Sequence, residues 1–231
     1  MKKLLLAGVA CITLLSTGAW AREAPLPVPL TVKVGGIKPN GFIPAKYAYC
    51  TADGKGATKN GGNVSPKISW SGKVDEAKSY VVLVVDKDVP ASFELANQKD
   101  KVIPVDFSRQ DFYHWVLVDI PVKRTSLAEG RSSTKVIEGG KPLGKTAYGV
   151  NGQNDYAKMN KGPNGGYDGP CPPWNDERMH HYHFSVYALD VESLELKKNF
   201  SGRDVEKAMA AHIVGKGEVV GRFTTNPKVK K

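Results

Sequence analysis

The sequence predicts a mainly β chain. Short stretches rich in β-branched and aromatic residues recur between Gly, Pro and Asn clusters, Val81 to Val85 is apolar at every position, and a single segment near Val205 repeats at helical spacing. The chain begins Met1-Lys2-Lys3, runs apolar from Leu4 through Leu15 and reaches Ala19-Trp20-Ala21, the small-x-small pattern cut by signal peptidases. Residues 1–21 therefore read as a signal peptide, and the mature product as periplasmic or secreted. Cys11 follows Gly8-Val9-Ala10, but the apolar run continues past it and position 8 is not a large aliphatic residue, so soluble export is preferred over lipidation. No later stretch approaches the ~20 apolar residues that span a bilayer, and no transmembrane segment is expected.

Residues 22–29 hold three prolines in eight positions and read as an extended, poorly ordered lead-in. The folded part is expected over 30–226, followed by a basic tail at 227–231. Strands are expected at Thr31 to Val34, Lys67 to Trp70, Ser79 to Val85, Phe112 to Ile120, Thr134 to Ile137, His181 to Leu189 and Val219 to Thr224. The unbroken apolar run of Val81 to Val85 suits a central strand buried on both faces. Ser201 with Asp204 three residues on can cap a helix, in which Val205, Ala208, Met209, His212 and Ile213 share a face. Nothing in the middle reads as a linker, so the mature chain could form one large β domain or two small ones.

The whole sequence carries 33 Lys and Arg against 23 Asp and Glu. Without Lys2 and Lys3 the balance is 31 to 23, or +8, which favours anionic partners in general but selects none, and no nucleic acid is expected. Cys50 and Cys171 survive export into a compartment where disulfides persist. They either pair or stay as two separately buried thiols.

Gly139 to Thr146 reads G-G-K-P-L-G-K-T, matching the phosphate-loop pattern, yet Tyr148, Gly149, Asn151 and Gly152 follow where a helix is required. A plain basic turn is the reading. His180, His181 and His183 crowd one strand start, with 180 and 182 on one face and 181 and 183 on the other. A metal would need ligands from elsewhere, Asp168, Asp176 and His114 being candidates, and pocket histidines acting as hydrogen-bond donors are preferred. No G-x-S-x-G elbow is present. More suggestive is a dispersed polar set at strand ends: Asp86 and Asp88, His114, and His180 with Tyr182. If the three strands lie side by side with these ends together, two imidazoles and a phenol could face a small oxyanion, with Asp86 holding one imidazole protonated. Between Gly149 and Pro173 lies a 25-residue stretch with six glycines, ending in the rigid Pro170-Cys171-Pro172-Pro173.

Six segments, G-G-N-V-S-P-K-I-S-W (61–70), S-Y-V-V-L-V-V-D-K-D-V-P (79–90), F-Y-H-W-V-L-V-D-I-P (112–121), G-Y-D-G-P-C-P-P (166–173), H-H-Y-H-F-S-V-Y-A-L-D (180–190) and A-H-I-V-G-K-G-E-V-V-G-R-F (211–223), together resemble the phosphatidylethanolamine-binding protein family, in its bacterial Raf kinase inhibitor-like branch. The resemblance implies a single β-sandwich-like domain with a few flanking helices. It also implies an anion pocket at Asp86, Pro90, His114, Pro172, His180 and Tyr182. The family binds phosphate-like and carboxylate-like anions and phospholipid head groups, and some members inhibit kinases or proteases. A non-enzymatic binding protein without a cofactor is therefore expected, the alternative being an inhibitor that meets a partner protein through the 149–173 loop. Three departures stand out: Lys87 replaces a usual proline, His181 replaces the arginine that commonly follows the pocket histidine, and the segment from Tyr49 to Gly62 is long.

Overall fold

A computed structural model describes residues 26–160 and 162–230. The expected signal peptide lies outside the described residues. The first half supplies β1 (Val28–Pro29), β2 (Thr31–Val34), β3 (Gly41–Phe42), β4 (Cys50–Ala52), β5 (Thr58–Asn60), β6 (Ile68–Ser71) and the long β7 (Ser79–Pro90). The second half adds β8 (Arg109–Pro121), β9 (Ser126–Leu127), β10 (Gly144–Thr146), β11 (Gly149–Asn151), helix α1 (Ala157–Asn160), β12 (His180–Leu189), helix α2 (Gly202–Met209) and β13 (Ile213–Phe223). The chain is mainly β with few helices, as expected.

The main sheet runs β1-β13-β12-β7-β8-β11-β10, with β3 also on β13, and a small sheet β2-β6-β9 packs against it. Alternation along β7 explains its unbroken hydrophobicity. Val82 and Val84 join Trp115, Phe184, Ile68 and Trp70 in the core between the two sheets. Val81, Leu83 and Val85 point the other way, onto Tyr113, Val116, Phe200, Val205 and Met209 under α2. Both faces of the central strands are thus covered, one by a sheet and one by a helix.

Helix α2 starts as its sequence prescribes: Ser201 accepts from the Asp204 backbone, and the Asp204 side chain accepts from the Ser201 backbone. Ser201→Ala is expected to cost about 1 kcal/mol in urea unfolding. An unchanged midpoint would mean the packing of Val205 and Met209 holds the helix alone. The helix ends earlier than its periodicity suggests. His212 sits in the turn beyond it, and Ile213 opens β13 opposite Leu189, because ladder pairing with β12 outweighs one more helical turn.

Three further expectations are corrected. Val28 and Pro29 are not a loose lead-in but pair in parallel with Gly215 and Lys216 of β13. Thr134 to Ile137 is no strand, since only Thr134 makes an isolated bridge, to Val64. Gly144 to Thr146 is the outer strand β10, antiparallel to β11, so the phosphate-loop pattern leads into a strand and has no helix N-terminus to offer. The long Tyr49 to Gly62 segment forms the hairpin β4–β5. At its base Cys50 is disulfide-bonded to Cys171, with Cα atoms 4.9 Å apart. Of the two states open to these cysteines, the structure adopts the bridge.

Candidate functional site

Strands β12, β7 and β8 are neighbours, and their antiparallel pairing brings the end of β7 beside the starts of β8 and β12. That places Asp86, His114, His180 and Tyr182 around one small cavity of about 60 Å³, walled by Cys171, Pro172 and Pro173. Two strand irregularities aim these side chains. Between Val84 and Val85 the partner on β8 steps from Trp115 to Tyr113, leaving His114 as an extra residue. Such a bulge re-aims a side chain, and His114 turns toward the Tyr182 ring, 5.1 Å away. Around Lys87 and Asp88 the extra residue is on β7: Asp86 faces Phe112 while Val89 faces Gln110. A regular strand would set 86, 88 and 90 on one side; with the shift, 86 and 89 share it.

The expected site therefore changes in one member. Pro90 does not line the cavity and Val89 does; Pro90 instead pairs with Arg109, and its carbonyl accepts from Gln110. Asp88 is turned to the opposite face. Its carboxylate accepts from the His181 backbone at 2.9 Å and lies 2.7 Å from Nε of Arg178. Arg178, three residues before His181, thus sets a cation against Asp88. Lys87 is exposed and lies within β7.

His180 is wholly buried between two carboxylates, with Nδ1 2.7 Å from Asp86 and Nε2 3.1 Å from Asp176. Asp176 is held in turn by Arg109. Burial alone would lower the His180 pKa, but the charges and hydrogen bonds of Asp86 and Asp176 outweigh it and raise the value to about 9. Asp86 likewise falls below its usual value: burial works against this, and the His180 charge prevails. His180 thus has a folded pKa above its ordinary 6.5, so its charge stabilises the fold fully below about pH 6.5 and is lost as pH rises through about 9. Urea unfolding is expected to lose about 3 kcal/mol across that window. A flat profile there would show that His180 does not stay charged between its two carboxylates.

His114 is held differently. Its Nδ1 donates to the Asp168 carbonyl at 2.7 Å, and the Asp168 backbone N–H donates to the His114 carbonyl at 2.9 Å. The Asp168 carboxylate is taken up by Asn63, Asn154, Asn164 and Lys141. Gly169 must lack a side chain, because a Cβ would collide with the Tyr47 carbonyl oxygen. Burial pushes the His114 pKa below its usual value, with Asp86 only partly opposing. His114 Nε2 and the Tyr182 hydroxyl are both buried without a hydrogen-bond partner.

The other histidines are engaged elsewhere. His181 Nδ1 lies 2.8 Å from Asp88, His183 Nδ1 lies 3.1 Å from Glu218, and His212 lies against Asp190 at the core edge. The cluster 180–183 divides between two sheet faces, so its members do not converge. Asp176 and Asp168 enter as anchors of His180 and His114 rather than as metal ligands. Sequence reasoning missed Phe93, Phe112, Tyr156 and Met159 as cavity neighbours. Only the spacing of Asp176, four residues before His180, offered a signal for its role.

Comparisons with known proteins identify the family and the fold. The family model described as phosphatidylethanolamine-binding protein matches residues 35–224, most of the chain. The chain belongs to the phosphatidylethanolamine-binding protein family. A UPF0098 protein of Pyrococcus horikoshii is 33% identical over 195 residues, covering 84% of this chain and 77% of that protein. The UPF0098 protein YbcL of Escherichia coli is 32% identical over 162 residues, 69% of this chain and 70% of its own. The crystal structure of YbcL, described as a member of the mammalian PEBP family, superposes with a TM-score of 0.62 at 26% identity, covering 84% of this chain and 98% of that one. Membership of the phosphatidylethanolamine-binding protein family points to a binding protein, and within this member the residues of the family motifs surround the cavity just described.

Proposed function

We propose that the chain is an exported, non-enzymatic binding protein whose cavity takes a phosphate-like or carboxylate-like anion, free or as part of a lipid head group. The observation that carries this reading is the pair of buried atoms without partners, His114 Nε2 and the Tyr182 hydroxyl, at one cavity. Leaving such groups unpaired costs about 1–3 kcal/mol each, a cost that a bound polar ligand removes. Phe93 and Met159, 49% and 59% exposed, give the mouth an apolar rim suited to a ligand with a nonpolar portion. No serine lines the cavity among the described residues, and its cysteine is bonded to Cys50, which favours binding over acyl transfer. The Cys50–Cys171 bridge supports an oxidising compartment, in keeping with cleavage after Ala21.

An NMR titration of the exported protein with phosphorylethanolamine and then inorganic phosphate tests the reading. The His114 ring signals are expected to move saturably in about the μM to mM range while His212 stays still. His114→Ala is expected to weaken binding about tenfold to a hundredfold, the loss of one strong hydrogen bond. If no histidine signal moves, the anion pocket is refuted, and an inhibitor acting through the 149–173 loop takes its place. Intact-mass analysis of the exported protein should find a chain starting at Arg22; a retained Met1 would refute export by cleavage.

A further inference from the structure

We infer that the outer face of the small sheet β2-β6-β9 is a docking surface for an acidic glycan, a sugar chain bearing carboxylate, phosphate or sulfate groups. This face shares no residue with the cavity at the end of β7. Alternation decides what it presents. Val32, Val34, Ile68, Trp70 and Leu127 join the core, so Thr31, Lys33, Ser69, Ser71 and Ser126 stand on the opposite side. Register sets them in rows: Lys33 lies opposite Ser69 and Ser69 opposite Ser126, with Thr31 opposite Ser71 in the next row. Neighbours in such a grid stand about 5 Å apart across the strands and about 7 Å apart along them.

Two shallow grooves of about 320 and 370 Å³ lie here and share Thr125 and Ser126, so they form one strip. Lys33 and Lys67 line the first, Lys123 and Arg124 the second. Among the described residues no Asp or Glu lines either groove, and none of these four cations is ion-paired. Arg124 donates from Nη2 to the Ala147 carbonyl, while its Nε is buried with no acceptor. Four unneutralised cations along one strip attract a partner whose negative charges repeat more strongly than a single small anion.

The remaining side chains select among polyanions. The hydroxyls of Thr31, Ser69, Ser71, Thr125 and Ser126 both donate and accept, as the hydroxyls of a sugar do. A single nucleic-acid strand is held by stacking on exposed aromatic rings, and the aromatic residue of this strip, Trp70, is only 4% exposed. An acidic protein partner would be anchored by large apolar or aromatic side chains, and among the described residues Pro121 alone is both apolar and exposed along the strip.

Isothermal titration of the folded protein with heparin, a sulfated glycan, tests this, with polyglutamate and a single-stranded oligothymidylate as comparison probes. Heparin is expected to bind most tightly of the three. Replacing Lys33, Lys67 and Lys123 by Gln together should weaken heparin at least about tenfold at about 50 mM salt, and lower the slope of log affinity against log salt by about 2. A control triple variant takes the same charge from exposed lysines around α2, with Lys197→Gln, Lys198→Gln and Lys207→Gln, and should change the affinity less than about threefold. Equal losses in the two triple variants would overturn the inference, because net charge and not this face would then hold the glycan. Absence of heparin binding, or tighter binding of polyglutamate or oligothymidylate, would overturn it as well. None of these outcomes bears on the cavity, whose His114 ring signals should be the same in both variants.

Discussion

Asp168→Ala is expected to destabilise the protein by about 3–5 kcal/mol, the range for removing one member of a buried ion pair. Asp168 is 1% exposed and Lys141 9%, so the lysine would be left charged and poorly solvated. The amides of Asn63, Asn154 and Asn164 each lose one acceptor in the same step. The damage is not confined to the loop. The backbone of Asp168 bonds twice to His114, and Asn63 also accepts from the Gly169 backbone, so loop, β8 and pocket wall share this one carboxylate. Equilibrium urea unfolding measures the loss, and the His114 ring signals report whether the pocket loosens while the protein is still folded. A change below about 1 kcal/mol would show that Lys141 and the three amides find other partners, contrary to a carboxylate that organises the site.

Removing the disulfide by Cys50→Ala with Cys171→Ala is expected to cost about 4–5 kcal/mol, because the bridge closes a loop of sequence separation 121 and restricts the unfolded chain. The effect reaches the pocket by a short path. Cys171 lines the cavity and stands between Pro170 and Pro172, while Pro170 accepts from the backbone of Tyr49 and Cys50. The unfolding midpoint should therefore fall in the double variant, and the wild-type protein should fall to the same midpoint under dithiothreitol. Identical midpoints for oxidised wild type and variant would mean that the two cysteines are not joined in the folded protein.

Much of the site was legible because strand chemistry is local. His180 and Tyr182 were placed on one face, and His181 and His183 on the other, by alternation alone, and β12 keeps that alternation. The buried run in β7 announced a central strand, and the motifs in family order announced its neighbours. What misled was any place where the period broke. Pro90 was expected in the pocket from the resemblance of the D-x-D-x-P segment to the family's; one extra residue on β7 puts Val89 there instead. Ile213 continues the helical period yet belongs to β13, since a long ladder can claim a residue that a short helix would also accept.

The sequence by itself determined the family, the mainly β architecture, the central strand, the cap of α2 and the faces of β12, all of which follow from periodicity, capping chemistry and ordered motifs along the chain. Only the tertiary structure decided that His114 is swung inward by a bulge, that His180 is held between Asp86 and Asp176, that Asp168 anchors the loop, and that Cys50 meets Cys171. The physical reason is common to these four. Each depends on residues distant in sequence, or on how neighbouring strands register, and neither register nor distant proximity leaves a periodic trace in a single chain.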